Sequence, residues 1–215
     1  FLGGSNFATD TFLQFYYFFP FLILISVFFW IRQPKKFLAV LKNLRPLRAF
    51  AFVALVGVGG LSNYYLGYRL HWIHLFYATC VIFLLWEISV IINDLCDLPI
   101  DVISNKHRPL VTGILTPEEY KTTAVLFSFL ALSFAATISA KILFLTFFGL
   151  LLAMVYSIPP LRLRKNMLGY PLIGTAMGIS FLMGIHSAGY VPVSVNSQQI
   201  KYLLFLLVYG SLIPM

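Results

Sequence analysis

What most limits the folds open to this chain is a succession of long apolar runs separated by short basic connectors. A helix rises about 1.5 Å per residue, so roughly twenty apolar residues cross the ~30 Å hydrocarbon core of a bilayer. Runs of that kind occupy Phe12 to Ile31, Leu47 to Gly67, Ile73 to Ile92, Thr122 to Ala140, Ile142 to Ser157 and Met167 to Ser187, and a last one begins at Tyr202. The expected fold is therefore all-α, a polytopic transmembrane helical bundle with about seven spans. A β-barrel needs short alternating segments, and this chain has none. With 60% hydrophobic and 10% charged residues, a soluble domain is excluded as well.

The formal charge of +8 raises the question of a nucleic-acid partner. The basic residues answer it, because they punctuate the gaps between apolar runs instead of lining one face of a folded domain. The expected partner is the lipid bilayer, with no nucleic acid. Twelve of the fifteen Lys and Arg fall in segments 32–48, 101–121 and 158–166, leaving Arg69, Lys141 and Lys201 on the other side. That asymmetry puts the first three segments on the cytoplasmic face of an inner, cytoplasmic membrane. Cys80 and Cys96 have neither metal-site nor disulfide spacing and are expected to be inert. His71, His74 and His186 fall at the outer ends of runs with no ligand spaced for them.

Within this apolar chain, three of the four aspartates crowd into Asn93-Asp94-Leu95-Cys96-Asp97-Leu98-Pro99-Ile100-Asp101. Carboxylates at the edge of hydrocarbon are costly, and function is the usual reason for them. Asn93, Asp97 and Asp101 are spaced i, i+4, i+8, with Asp94 three residues before Asp97, so a helix would present all four along one face. Hard oxygen ligands of this kind suit Mg²⁺, which binds a few carboxylates together with phosphate oxygens. The basic Lys106 and Arg108 follow at once. Pro99 lacks a backbone donor and crowds the preceding turn, so the helix is expected to kink or end near Leu98, leaving Asp101 at the start of a loop.

Further along, Thr116-Pro117-Glu118-Glu119 has the arrangement of a helix start, with Thr116 as N-cap. Tyr156-Ser157-Ile158-Pro159-Pro160 stops a helix and leads into the basic turn Arg162, Arg164 and Lys165. Charge counting places that turn on the same side as the acidic stretch. Gly57, Gly59, Gly60 and Ser62, then Gly174 and Gly178, are expected to let helices approach closely. Asn63 either lines a cavity or bonds a neighbouring helix. Glu87 lies two helical turns before Asp94 on the same face, where it either orients or deprotonates an acceptor or serves as a packed, protonated residue.

The N-D-x-x-D-x-x-x-D stretch followed by Asn105-Lys106-His107-Arg108-Pro109-Leu110 resembles the first aspartate-rich motif of the UbiA superfamily of intramembrane prenyltransferases. The stretch from Tyr156 to Lys165 and the Arg45-Pro46 pair are similar to further family patterns. The resemblance divides the chain into an extra N-terminal transmembrane helix with its basic connector, 1–43, and the N-terminal portion of a UbiA-like domain, 44–215. It implies Mg²⁺-dependent transfer of a prenyl group from a prenyl diphosphate to a hydrophobic acceptor, aromatic or lipid, in a bundle cavity open to the bilayer. By position it implies metal ligation by Asn93, Asp94, Asp97 and Asp101, with Asp94, Asp97 and Asp101 in catalysis; Glu87 joins them as a catalytic candidate on its place in the helix, not on the resemblance. Diphosphate contacts fall to Arg45, Lys106, Arg108, Tyr156, Arg162 and Arg164.

The family's second aspartate cluster is absent from these 215 residues. The final run, Tyr202 to Met215, reaches roughly 21 Å, and the chain opens on Phe1 without a signal-peptide pattern. The expectation is a piece of a longer protein, inactive by itself. Two other readings stand beside the enzyme: a transporter or channel with the aspartates as a cation site, and an inactive membrane scaffold.

Overall fold

A computed structural model describes residues 4–187 and 197–212. Eight α-helices follow one another: α1 Gly4–Arg32, α2 Pro34–Asn43, α3 Pro46–Tyr65, α4 Trp72–Ser104, α5 Pro117–Ile138, α6 Ala140–Ser157, α7 Gly169–Ser187 and α8 Ser197–Leu212. A 3₁₀ turn, Leu163–Lys165, precedes α7. Of the polar loop expected from Tyr190 to Gln199, positions up to 196 lie outside the described residues, as do the last three of the final run.

Among the described residues, four helices are long and apolar enough to cross a membrane: α3, α4, α5 and α6. Beside the expected seven or so spans, the described part of α1 contributes the shorter apolar stretch Phe19–Arg32, α8 has 16 described residues, and glycine and polar residues dilute α7. The connector 32–48 also differs from expectation, since it folds into α2. Pro34 stands at the first helical position of α2, where its missing N–H has no partner to lose.

Helix α4 is the axis of the bundle, touching α3, α5, α6 and α7, while α8 lies against α7. Val81, Ile82, Leu85 and Ile88 of α4 meet Val56 of α3, Phe134 and Ile138 of α5, and Leu150 of α6 in one apolar core. In hydrocarbon the apolar surface itself gains little from burial, so close packing and buried hydrogen bonds carry the cohesion. Gly59 and Gly184 show the packing: a Cβ on Gly59 would strike the Phe181 carbonyl, and one on Gly184 would strike the Val56 carbonyl. These glycines let α3 and α7 touch backbone to backbone. Gly57, expected to share that role, has nothing within 4 Å of its Cβ position.

Asn63 shows the hydrogen bonding, and its two readings resolve to the neighbouring helix. Its Nδ2 donates to the Ile185 carbonyl at 2.6 Å and its Oδ1 accepts from Gln199 Nε2 at 2.9 Å, which ties α3 to α7 and α8. Asn63→Leu strands both partners in a dry interior. We expect it to lower stability by about 1–3 kcal/mol, read as a fall in melting temperature in detergent; an unchanged melt would refute the tether.

Helix starts follow local chemistry. Thr116 caps α5 in a full capping box with Glu119. Ser139 closes α5 and caps α6 through the Ile142 N–H, so one residue makes the turn of that hairpin. Helix α6 ends at Ser157, as the Pro159-Pro160 pair requires.

Candidate functional site: an acid and arginine cluster at the end of α4

Helix α4 runs without interruption to Ser104, with Pro99 inside it. This corrects the expectation of a break near Leu98. Pro99 sits on the exposed side, while Asp94, Asp97 and Asp101 are buried on the other. Losing the donor to the Leu95 carbonyl costs a helix interior about 3 kcal/mol. The ion pairs on the buried face hold the chain in register against that cost. Asp101 is therefore a helix residue, a turn beyond Asp97.

Four arginines from three separate segments converge on this end of α4. Arg45 Nη2 donates to Asp94 Oδ1 at 3.0 Å, and Arg108 Nη1 donates to the same oxygen at 2.7 Å. Arg108 also pairs with Asp101 Oδ2, bridging two carboxylates seven residues apart. Arg162 and Arg164 both pair with Asp97 Oδ1, and Arg164 donates to Asn93 Oδ1 as well. Asn93 Nδ2 completes the set at 3.2 Å from Asp97 Oδ2. The four oxygen-bearing residues thus divide into two groups, Asp94 with Asp101 around Arg108, and Asn93 with Asp97 around Arg164.

Backbone geometry marks the same residues. Among the described residues, the non-glycine positions with positive φ are Arg45, at 44°, and Arg162, at 37°. Left-handed backbone costs such a residue about 1 kcal/mol or more and persists where surroundings enforce it. Both lie one residue before a helical segment, and the unusual turn aims the guanidinium back at α4.

The remaining candidates are placed as follows. Glu87 is buried within α4, its Oε1 has no hydrogen-bond partner, and its charged neighbours are Arg45 and Asp94. Tyr156 is half-buried near Arg164 and Arg48. Lys106 is exposed and stands apart from the cluster. Sequence reasoning missed Asn43, whose Nδ2 donates to Asp94 Oδ2 at 3.1 Å, and Asn105, whose Nδ2 donates to Asp101 Oδ1 at 2.8 Å. The i, i+4 spacing from Asp101 was a signal for Asn105; nothing local pointed to Asn43. It also missed Tyr120, a buried residue with an unpartnered hydroxyl and with Asp94, Arg108 and Glu87 as charged neighbours.

The ligating atoms on offer are all hard oxygens, the donor class Mg²⁺ takes. Among the described residues no three His, Cys, Asp or Glu side chains converge as a ready metal centre, because guanidinium groups already engage the carboxylates. Arg162 Nε and Arg164 Nε are buried donors with no acceptor. Buried N–H groups left over in this way fit an anion with more oxygens than one carboxylate has.

These features define an integral membrane helical bundle with a cluster of carboxylates and arginines at one end of its central helix. The UbiA prenyltransferase family model matches residues 51–214, and the chain belongs to that family. The bacteriochlorophyll synthase 34 kDa chain of Chloroflexus aurantiacus is 28% identical over 130 residues, 59% of this chain and 41% of that protein. Among solved structures, a UbiA homolog from Archaeoglobus fulgidus bound to DMAPP and Mg²⁺ matches with TM-score 0.67 and 22% identity, over 80% of this chain and 60% of that one. A digeranylgeranylglyceryl phosphate synthase matches at TM-score 0.65 and 20% identity, over 80% of this chain and 57% of its own. At these identities the solved structures show the shared fold. The chain spans less than two thirds of the length of each of these relatives.

Proposed function

We propose that this chain carries the donor-binding half of a prenyltransferase that moves a prenyl group from a prenyl diphosphate to an aromatic or lipid acceptor within the membrane, its cluster facing the cytoplasm. One observation supports this above others: three buried carboxylates share the end of α4 with four arginines drawn from three segments. A cation excess around a carboxylate row is suited to a polyanion that arrives with a divalent metal. The Archaeoglobus homolog, which shares the fold, was captured with DMAPP and Mg²⁺.

Arg162 and Arg164 bind the diphosphate by turning from Asp97 to phosphate oxygens, using the Nε donors that lack acceptors. Arg108 makes the same exchange from Asp94 and Asp101. The carboxylates so released, with Asn93, are the residues that would hold Mg²⁺. When bound, that ion would supply charge to stabilise the departing diphosphate. The arginines add fixed charge to the same leaving group, in a dry site where such charge acts strongly. Apolar walls around α4 exclude water from the allylic cation that remains. The buried Glu87 is placed to accept a hydrogen bond or a proton from the acceptor.

Donor binding tests the reading directly. Protein in phosphatidylcholine nanodiscs is expected to bind labelled geranyl diphosphate in the presence of Mg²⁺, and Arg164→Gln to weaken that binding roughly 10- to 100-fold. Equal binding by variant and parent, or none that depends on Mg²⁺, would overturn it.

A further inference from the structure

We infer that the protein has a second anion site, for the phosphate headgroup of an anionic lipid, in a cavity between α2 and the segment joining α4 to α5. The cavity measures about 840 Å³. One of its walls is a single stripe of α2, in which Lys35, Leu38, Ala39, Lys42 and Asn43 recur at the three- and four-residue spacing of one helix face. Arg48 and His107 face the same space from α3 and from the 105–114 segment.

Four observations carry the inference. First, every fully charged side chain lining the cavity is cationic, and no Asp or Glu lines it. Arg45 and Arg108 are engaged with Asp94 on the side toward α4, but Lys35, Lys42 and Arg48 pair with no carboxylate among the described residues. Second, α2 is fixed in place. Ala39 is buried with Ile91, Leu110 and Leu115, and Lys36 pairs with Glu119 at the start of α5. The cationic stripe is therefore part of a built wall.

Third, Leu38, Leu47 and Ile114 lie exposed along the same cavity. A free phosphate gains nothing from an apolar border, whereas a lipid needs one for the start of its acyl chains. Fourth, α2 lies between the apolar helix α1 and the membrane-crossing α3, and carries cationic and apolar residues together, the composition of a helix at the headgroup level. Basic pockets between helices at that level are suited to anionic headgroups. Ordinary positive-inside charge explains the lysines taken singly. It does not explain their convergence on one open, amphipathic groove.

The site adjoins the donor cluster and shares Arg45 and Arg108 with it, but Lys35, Lys42 and Arg48 are not assigned to the donor and the test reads lipid retention, so its failure is distinguishable from a failure of prenyl transfer. Protein is reconstituted in mixed phosphatidylcholine and phosphatidylglycerol nanodiscs, released, and its retained lipid measured by native mass spectrometry. Preferential retention of phosphatidylglycerol is expected, weakened roughly 30-fold in Lys35→Gln/Lys42→Gln and unchanged in Lys141→Gln, which lies at another cavity. Arg48→Gln provides an independent variant, expected to weaken retention in the same direction, should the double variant lose its helical circular dichroism. Equal retention of the two lipids, or insensitivity to these substitutions in folded protein, overturns the proposal. So does displacement of phosphatidylglycerol by inorganic diphosphate alone, which would make this a soluble-anion site.

Discussion

In the complete protein, Asp97→Asn is expected to lower prenyl transfer by about 100- to 1,000-fold, the scale on which loss of one key electrostatic group acts in a dry active site, while the protein stays folded. Asp97 is the carboxylate on which Arg162 and Arg164 meet, and Asn93 also bonds it. The amide preserves the shape and one acceptor oxygen but removes the charge. A neutral group neither attracts a divalent cation nor balances two guanidiniums. The double pairing predicts a further signature: with Asp97 neutralised, Arg162 and Arg164 are released to phosphate. Donor binding measured without metal should then hold or strengthen while turnover collapses. Product quantified by mass spectrometry, beside labelled-donor binding in nanodiscs, reads both effects. Turnover within a few-fold of the parent would remove Asp97 from the chemistry.

A second large effect is expected far from the cluster. Gly184→Leu places a branched side chain where even a Cβ meets the Val56 carbonyl and the Gly60 nitrogen. Backbone has no rotamer by which to yield, so α3 and α7 must separate. Overpacking in a well-packed core costs about 1–3 kcal/mol where side chains can move, and more where backbone must. Separation would also strain the Asn63 bonds to Ile185 and Gln199. Against a typical total stability of about 5–15 kcal/mol, this variant is expected to lose most of its folded population. Gly57→Leu is the internal comparison, on the facing helix α3 but with open space around its Cβ position. Size-exclusion profiles and thermal melts in detergent should show Gly57→Leu near the parent and Gly184→Leu aggregated or absent. Equal behaviour of the two would mean that the α3–α7 contact does not hold the bundle.

Much of this was legible from the chain alone because its signals are local or compositional. Long apolar runs dictate membrane-crossing helices whatever lies around them. The capping box at Thr116, the stop at Pro159-Pro160 and the placement of basic residues each depend on a few neighbours in sequence. The spacing of Asn93, Asp94, Asp97 and Asp101 likewise fixes a common helix face once a helix exists. Charge asymmetry went further and brought the turn after α6 to the same side as the acidic stretch.

Other features depend on partners that sequence distance conceals. Pro99 reads as a helix break because its cost is local, whereas Arg108, Arg162 and Arg164 offset that cost from segments up to 67 residues away. A connector of lysines and leucines becomes the ordered helix α2 because Ala39 and Lys36 find Leu110 and Glu119. Asn63 could line a cavity or tie helices together until Ile185 and Gln199 were seen beside it. The all-helical class, the capped helix starts and the shared face of the acidic row were therefore written in the sequence itself. Which guanidinium meets which carboxylate, and where a basic cavity opens beside them, was decided in three dimensions, because pairing energies depend on distances that spacing along a chain does not contain.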